Sequence, residues 1–176
     1  MANSDLSALI GSKSEALEVE YKSWIDTSDA VVGAQLARHF AALSNHGGGY
    51  LIFGVDDTTR LPQGASNLDP KLFGEDAIST IVKRYLDPRF QCRVEWAEVR
   101  GVAYPVVIVP SHGARPVIAI ADGPSDQKGR PIGIREGMLY IRSAGPESIA
   151  IRRPDDWTAI LERCLRHRAE IGRAHV

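Results

Sequence analysis

Carboxylates are the residues of this chain whose grouping most invites chemistry. Glu15, Glu18 and Glu20 stand just ahead of Lys22, and Asp56-Asp57 follow an apolar run further on. Glu18 and Glu20 are i, i+2 neighbours, so on a strand they share a face. Oxygen ligands that converge on a groove can hold Mg2+ or Mn2+. Such an ion activates water and stabilises the charge of a phosphodiester under attack. A solvated strand face plus a turn aspartate is the other reading of the same residues, and composition alone leaves both open.

The remaining reactive residue types exclude more than they suggest. His46-Gly47-Gly48-Gly49 is similar to the oxyanion loop of lipases, but no Gly-x-Ser-x-Gly accompanies it, which excludes an α/β-hydrolase. There is no Walker A sequence and no dinucleotide fingerprint, so nucleotide (ATP) binding would rest on the Gly47–Gly49 loop alone. Cys92 and Cys164 lie far apart with no Cys or His at ligand spacing; no zinc site is expected, and both read as reduced thiols. A net charge of −1 argues against a wholly basic nucleic-acid-binding surface but permits a local one. The arginines are unevenly spread: Arg142, Arg152, Arg153, Arg163, Arg166 and Arg168 crowd the C-terminal part, and the first forty or so residues are acid-rich.

The elements that must position these groups follow from periodicity. Residues 17–22 alternate, which predicts a strand with Leu17, Val19 and Tyr21 on one face and Glu18, Glu20 and Lys22 on the other. Asp29 is a good N-cap for a helix over 30–44, whose stripe is Val32, Leu36, Phe40 and Leu43. Asn45 and Gly47 should end it. Residues 50–55 are continuously apolar and predict a buried central strand. A polar loop over 56–69 leads to a second helix over 75–86, stopped before Pro88. Strands at 92–99 and 102–109 around Arg100-Gly101 predict a hairpin. Short strands at 117–120 and 138–142 and a helix over 155–167 complete the series. The order predicts an α+β fold, a mixed β-sheet flanked by helices.

Three ordered tracts carry a resemblance. Glu-Ala-Leu-Glu-Val-Glu-Tyr-Lys covers residues 15–22, Leu-Ser-Asn-His-Gly-Gly-Gly-Tyr-Leu-Ile-Phe-Gly-Val-Asp-Asp covers 43–57, and Gly-Met-Leu-Tyr-Ile-Arg covers 137–142. Together they resemble the Schlafen AlbA-type domain family. The resemblance implies a Schlafen/AlbA-like mixed sheet and a role in nucleic-acid binding. Some vertebrate members are metal-dependent endoribonucleases, and their three acids would fall on Glu15, Glu20 and Asp57, with Mg2+ or Mn2+ as cofactor. Bacterial relatives are described as DNA-binding or ATP-binding parts of regulators. The vertebrate enzymes pair two such lobes, so a single lobe implies a homodimer. The family's zinc-finger residues are missing here.

The expected organisation is a domain over 1–150, a helix over 151–169 leading to a missing downstream region, and 170–176 as translated sequencing adapter, which Glu-Ile-Gly-Arg-Ala-His-Val resembles. No apolar run of ~18 residues and no apolar signal core occur, so a cytoplasmic location without membrane contact is expected. The reading ranked first is a nucleic-acid-binding module, RNA or DNA, of a regulator or defence protein. Lys22 and Arg142 are its expected nucleic-acid contacts, and Asn45 and Gly47 to Gly49 its structural turn. A nuclease using Glu15, Glu20 and Asp57 comes next.

Overall fold

A computed structural model describes residues 3–11, 16–145 and 147–174. Its centre is a four-stranded mixed sheet in the order β1-β2-β5-β4. Strand β1 (Val19–Lys22) runs parallel to β2 (Gly49–Phe53), and β5 (Val102–Val109) and β4 (Arg93–Val99) continue antiparallel. The alternation of β2 and β5 sorts the core into two layers. Leu51, Phe53, Val107 and Val109 face helices α2 (Ala30–His46) and α3 (Glu75–Tyr85), whereas Ile52, Tyr104 and Val106 face Leu6 and Ile10 of α1 (Asn3–Gly11). Strand β3 (Leu86–Asp87) pairs with β6 (Ile118–Ala119), and β7 (Tyr140–Ser143) forms a hairpin with β8 (Glu147–Ala150). Helix α4 (Pro154–Ala174) lays Ile160 on Leu139 and Ile151.

Local chemistry explains the elements. Asp29 accepts from the backbone N–H groups of Val31 and Val32 at 2.8 and 3.0 Å, starting α2 as an N-cap should. Arg100 and Gly101, at φ 52 and 77, make the tight two-residue turn of the β4–β5 hairpin. The expected mixed sheet flanked by helices is therefore the fold. Among the described residues, no helix is long and apolar enough to cross a membrane.

Four details differ from the sequence reading. Helix α2 runs two residues beyond Ser44, and Asn45 is inside it. α4 continues to Ala174. α1 and β8 had no strong periodic signal: α1 is short, and Glu147-Ser-Ile-Ala is half polar. The polar face expected for β1 is not solvated, because the β7–β8 hairpin and α2 cover it at Glu20.

The turn after α2 is a tight junction. Gly47, at φ 125, donates to Ser44 O, and Gly48 donates to Leu43 O at 2.9 Å. A Cβ on Gly47 would touch nothing, so only its backbone conformation resists substitution. A Cβ on Gly49 would fall 2.3 Å from the carbonyl oxygen of Glu18 and 2.9 Å from Leu43. Gly47→Val should cost about 1–3 kcal/mol through backbone strain. Gly49→Ala should cost more than Gly47→Ala, since strand β2 must move off β1. Urea unfolding of the two alanine variants checks the order; equal midpoints would contradict it.

Candidate nucleic-acid interface

The buried acid of β1 is the focus of the polar interior. Glu20 is 7% exposed, and its carboxylate accepts from Arg142 Nη1 at 2.5 Å. Lys22 Nζ stands 2.8 Å from the other oxygen, and His39 Nδ1 lies 3.4 Å away. Arg142 also donates to Leu17 O, Val19 O and Ser148 Oγ at 2.9, 3.0 and 3.0 Å. Ser148 in turn lies 2.9 Å from His39 Nδ1. Burial alone would raise the Glu20 carboxyl, but the permanent cations beside it, Lys22 and Arg142, help to outweigh that and hold it below the usual range. Burial pushes the His39 imidazole down to about 3, so it is neutral at physiological pH.

This geometry reassigns the expected site residues. Arg142 has no exposed side chain and cannot touch a nucleic acid; it is a structural guanidinium. Lys22 is committed to Glu20, with Asp57 3.9 Å away on its other side. Its ammonium thus sits between the two carboxylates that a metal ion was expected to bridge. Asp57 itself is largely exposed. Glu15 lies outside the described residues. Among the described residues, no three His, Cys, Asp or Glu side chains converge on an ion position. The residues described do not fit a Mg2+ or Mn2+ centre.

Asn45 and the glycine loop spend their polar groups within the fold. The Asn45 side chain donates to Val117 O and Tyr140 O, both at 2.9 Å, and accepts from Val117 N at 2.7 Å. It clamps the β6 and β7 segments onto α2. The N–H groups of Gly47 and Gly48 are spent on helix carbonyls, and the loop lies at a helix C-terminus, the negative end of its dipole. Both facts disfavour phosphate there, so the glycines give no support to an ATP site. Cys92 is buried and its thiol is pushed up to about 12 by burial and then by Glu75, which leaves it unreactive.

The C-terminal arginines divide by position. Arg142 is interior. Arg163 and Arg166 of α4 join Arg89, Arg115, His112 and His167 along two adjoining hollows of about 230 and 340 Å3. The hollows share Ser111, His112, Gly113 and His167, and Phe90 lies in the lining. Glu170 is the one carboxylate among the described lining residues. Arg163 Nη1 also donates to Asn45 O at 2.6 Å, anchoring α4 on the end of α2. Arg89 and Arg115 escaped the sequence reading because they stand alone in loops, and only the fold brings them to α4.

The profile of the family described as Schlafen, AlbA_2 matches residues 15–148, well over half of the chain. The chain belongs to the Schlafen AlbA_2 family. Solved structures agree on the fold. The chain is 18% identical to the DIP2311 protein of Corynebacterium diphtheriae, with a TM-score of 0.56 over 91% of this chain and 28% of that one. It is 20% identical to the N-terminal domain of a Nitrosomonas europaea protein described as related to the ATP-dependent DNA helicase RecG, with a TM-score of 0.52 over 77% and 92% of the two chains. The chain thus spans under a third of the Corynebacterium protein. No curated protein matches it.

The buried network makes stability depend on pH. The unfolded chain binds a proton on His39 below its ordinary 6.5, which the folded chain refuses until about 3. Stability should therefore fall as pH drops below 6.5, by at most about 1.4 kcal/mol per pH unit for one proton. His46 and His112, also lowered chiefly by burial, add to this with the same sign. Glu20 is lowered, so its contribution is full above its ordinary 4.5 and is lost as pH falls below it. His39→Gln should flatten the stability profile between pH 6.5 and 4.5, measured by urea unfolding at a series of pH values. An unchanged slope would contradict the assignment.

Proposed function

We propose that the chain is a nucleic-acid-binding module of a larger regulator or defence protein, and that its strand lies along the groove between α4 and the 111–115 loop. The observation that carries this is the grouping of four arginines and two histidines in a lining with Glu170 as its only described carboxylate. Phosphate contacts supply most sequence-independent affinity, and a local basic groove provides them on a chain whose net charge is −1. Phe90 adds an aromatic face on which a base can stack. Membership of the Schlafen AlbA_2 family supports the same class of ligand. The nuclease reading would require Glu20 to exchange Arg142 and Lys22 for a divalent ion, and no observation favours it.

Arg115 and Arg166 are both exposed, so alanine there should leave the thermal midpoint nearly unchanged. Each replacement should weaken binding of a single-stranded oligonucleotide and make its salt dependence shallower by about one unit per lost phosphate contact. Fluorescence anisotropy over a salt series measures both. Wild-type affinity and salt slope in the double variant would remove the groove from consideration.

A further inference from the structure

A larger hollow, of about 640 Å3, lies on other residues of the chain, between α2, the β7–β8 hairpin and the start of α4. That volume is in the range of small-molecule sites. One part of its wall is apolar, from Ile134, Met138 and Ile149. The other part carries Arg38, Arg135, Arg152 and Arg153. Asp156 answers Arg153 at 3.2 Å. The guanidinium groups of Arg38, Arg135 and Arg152 have no ion-pair or hydrogen-bond partner among the described residues. Nε of Arg38 is buried and still unpaired.

A buried, unpaired guanidinium N–H is costly, and a native fold tolerates it where a ligand supplies the acceptor. Three unanswered cations around one hollow suit a dianion better than the single charge of a phosphodiester. Ser148 also lies in the lining, and its hydroxyl is held by His39 and Arg142. The hollow is thus floored by the same polar network that fastens β7 to β1, which gives it a fixed shape. The mixed wall suits a phosphate joined to a less polar body.

We propose that this hollow binds a terminal phosphomonoester on a nucleoside, either the phosphorylated end of a nucleic-acid strand or a free mononucleotide. The arginines take the phosphate oxygens, where planar guanidinium geometry matches them. The apolar wall takes the sugar and base. The site shares no residue with the α4 groove, so the two can fail separately.

The experiment compares one oligonucleotide bearing a 5′-phosphate, a 3′-phosphate or hydroxyls at both ends, at a single ionic strength, by fluorescence anisotropy. The protein should prefer one phosphorylated form by about tenfold or more, the worth of a charge-assisted contact. Arg135 and Arg152 are exposed, so Arg135→Ala/Arg152→Ala should fold normally, checked by its thermal midpoint. It should lose the preference and keep its affinity for the hydroxyl-ended strand. Arg166→Ala should do the reverse, weakening all strands while keeping the preference. Fluorescent adenosine monophosphate that binds the parent and not the double variant, with adenosine inert as competitor, identifies the free nucleotide as ligand; a strand preference without such binding identifies the strand end. Equal binding of all three strands, with no binding of the monophosphate, would overturn the proposal. So would a double variant that keeps the wild-type preference.

Discussion

One carboxylate and one guanidinium, 122 residues apart in sequence, meet inside the protein and determine how its parts sit. Glu20 belongs to β1, the edge strand of the sheet, and Arg142 to the separate β7–β8 hairpin. The two elements share no strand pairing. They are joined by the ion pair and by the two carbonyls, Leu17 O and Val19 O, to which Arg142 donates. Those carbonyls would otherwise belong to an open sheet edge, the kind of surface that recruits other chains. The guanidinium closes that edge and supplies the counter-charge for Glu20 together. Burying such a pair yields little net stability, because desolvation offsets the attraction, but leaving either member alone is expensive. The pair therefore acts mainly as a specificity device for the docking of the hairpin.

Everything outward of that pair is a matter of where arginines end up. With its net charge near zero, the chain cannot bind nucleic acid through its average field. It concentrates positive charge instead. Helix α4 separates two basic hollows, one beside the 111–115 loop and one beside α2 and β8. Asn45 and Arg163 fix that helix and the β7 segment to the end of α2 through backbone carbonyls. The basic surfaces are thus mounted on a rigid frame rather than on loops alone.

Much of the frame was legible in the sequence. Asp29, the apolar run of β2 and the Arg100-Gly101 turn each act through local physics, so their positions could be read directly. The three ordered tracts also pointed to the right family. The polar interior was harder. Glu20 alternates with Val19 and Tyr21, which reads as a solvated face unless a second layer is known to cover it. His39 lies three residues after Leu36 and four before Leu43, on their stripe, a signal that it is buried, but periodicity cannot name its partners. Arg142 read as a nucleic-acid contact because it opens the arginine-rich C-terminal part, and nothing local reveals that it is buried. Arg38, Arg135, Arg89 and Arg115 are isolated in sequence, and only long-range packing groups them. Glu15 was assigned with Glu20 and Asp57, and it falls among residues the structure does not describe.

The central claim is that Glu20 and Arg142 hold the frame and leave ligand contacts to other residues. A double-mutant cycle with Glu20→Leu, Arg142→Met and the combined variant tests it, with unfolding free energy and strand affinity both measured. Each single replacement should cost about 3–5 kcal/mol by stranding a buried charge. The combined variant should cost far less than the sum and, being folded, should bind a hydroxyl-ended strand within about twofold of the parent. Additive losses of stability, or a folded double variant that no longer binds, would contradict the account.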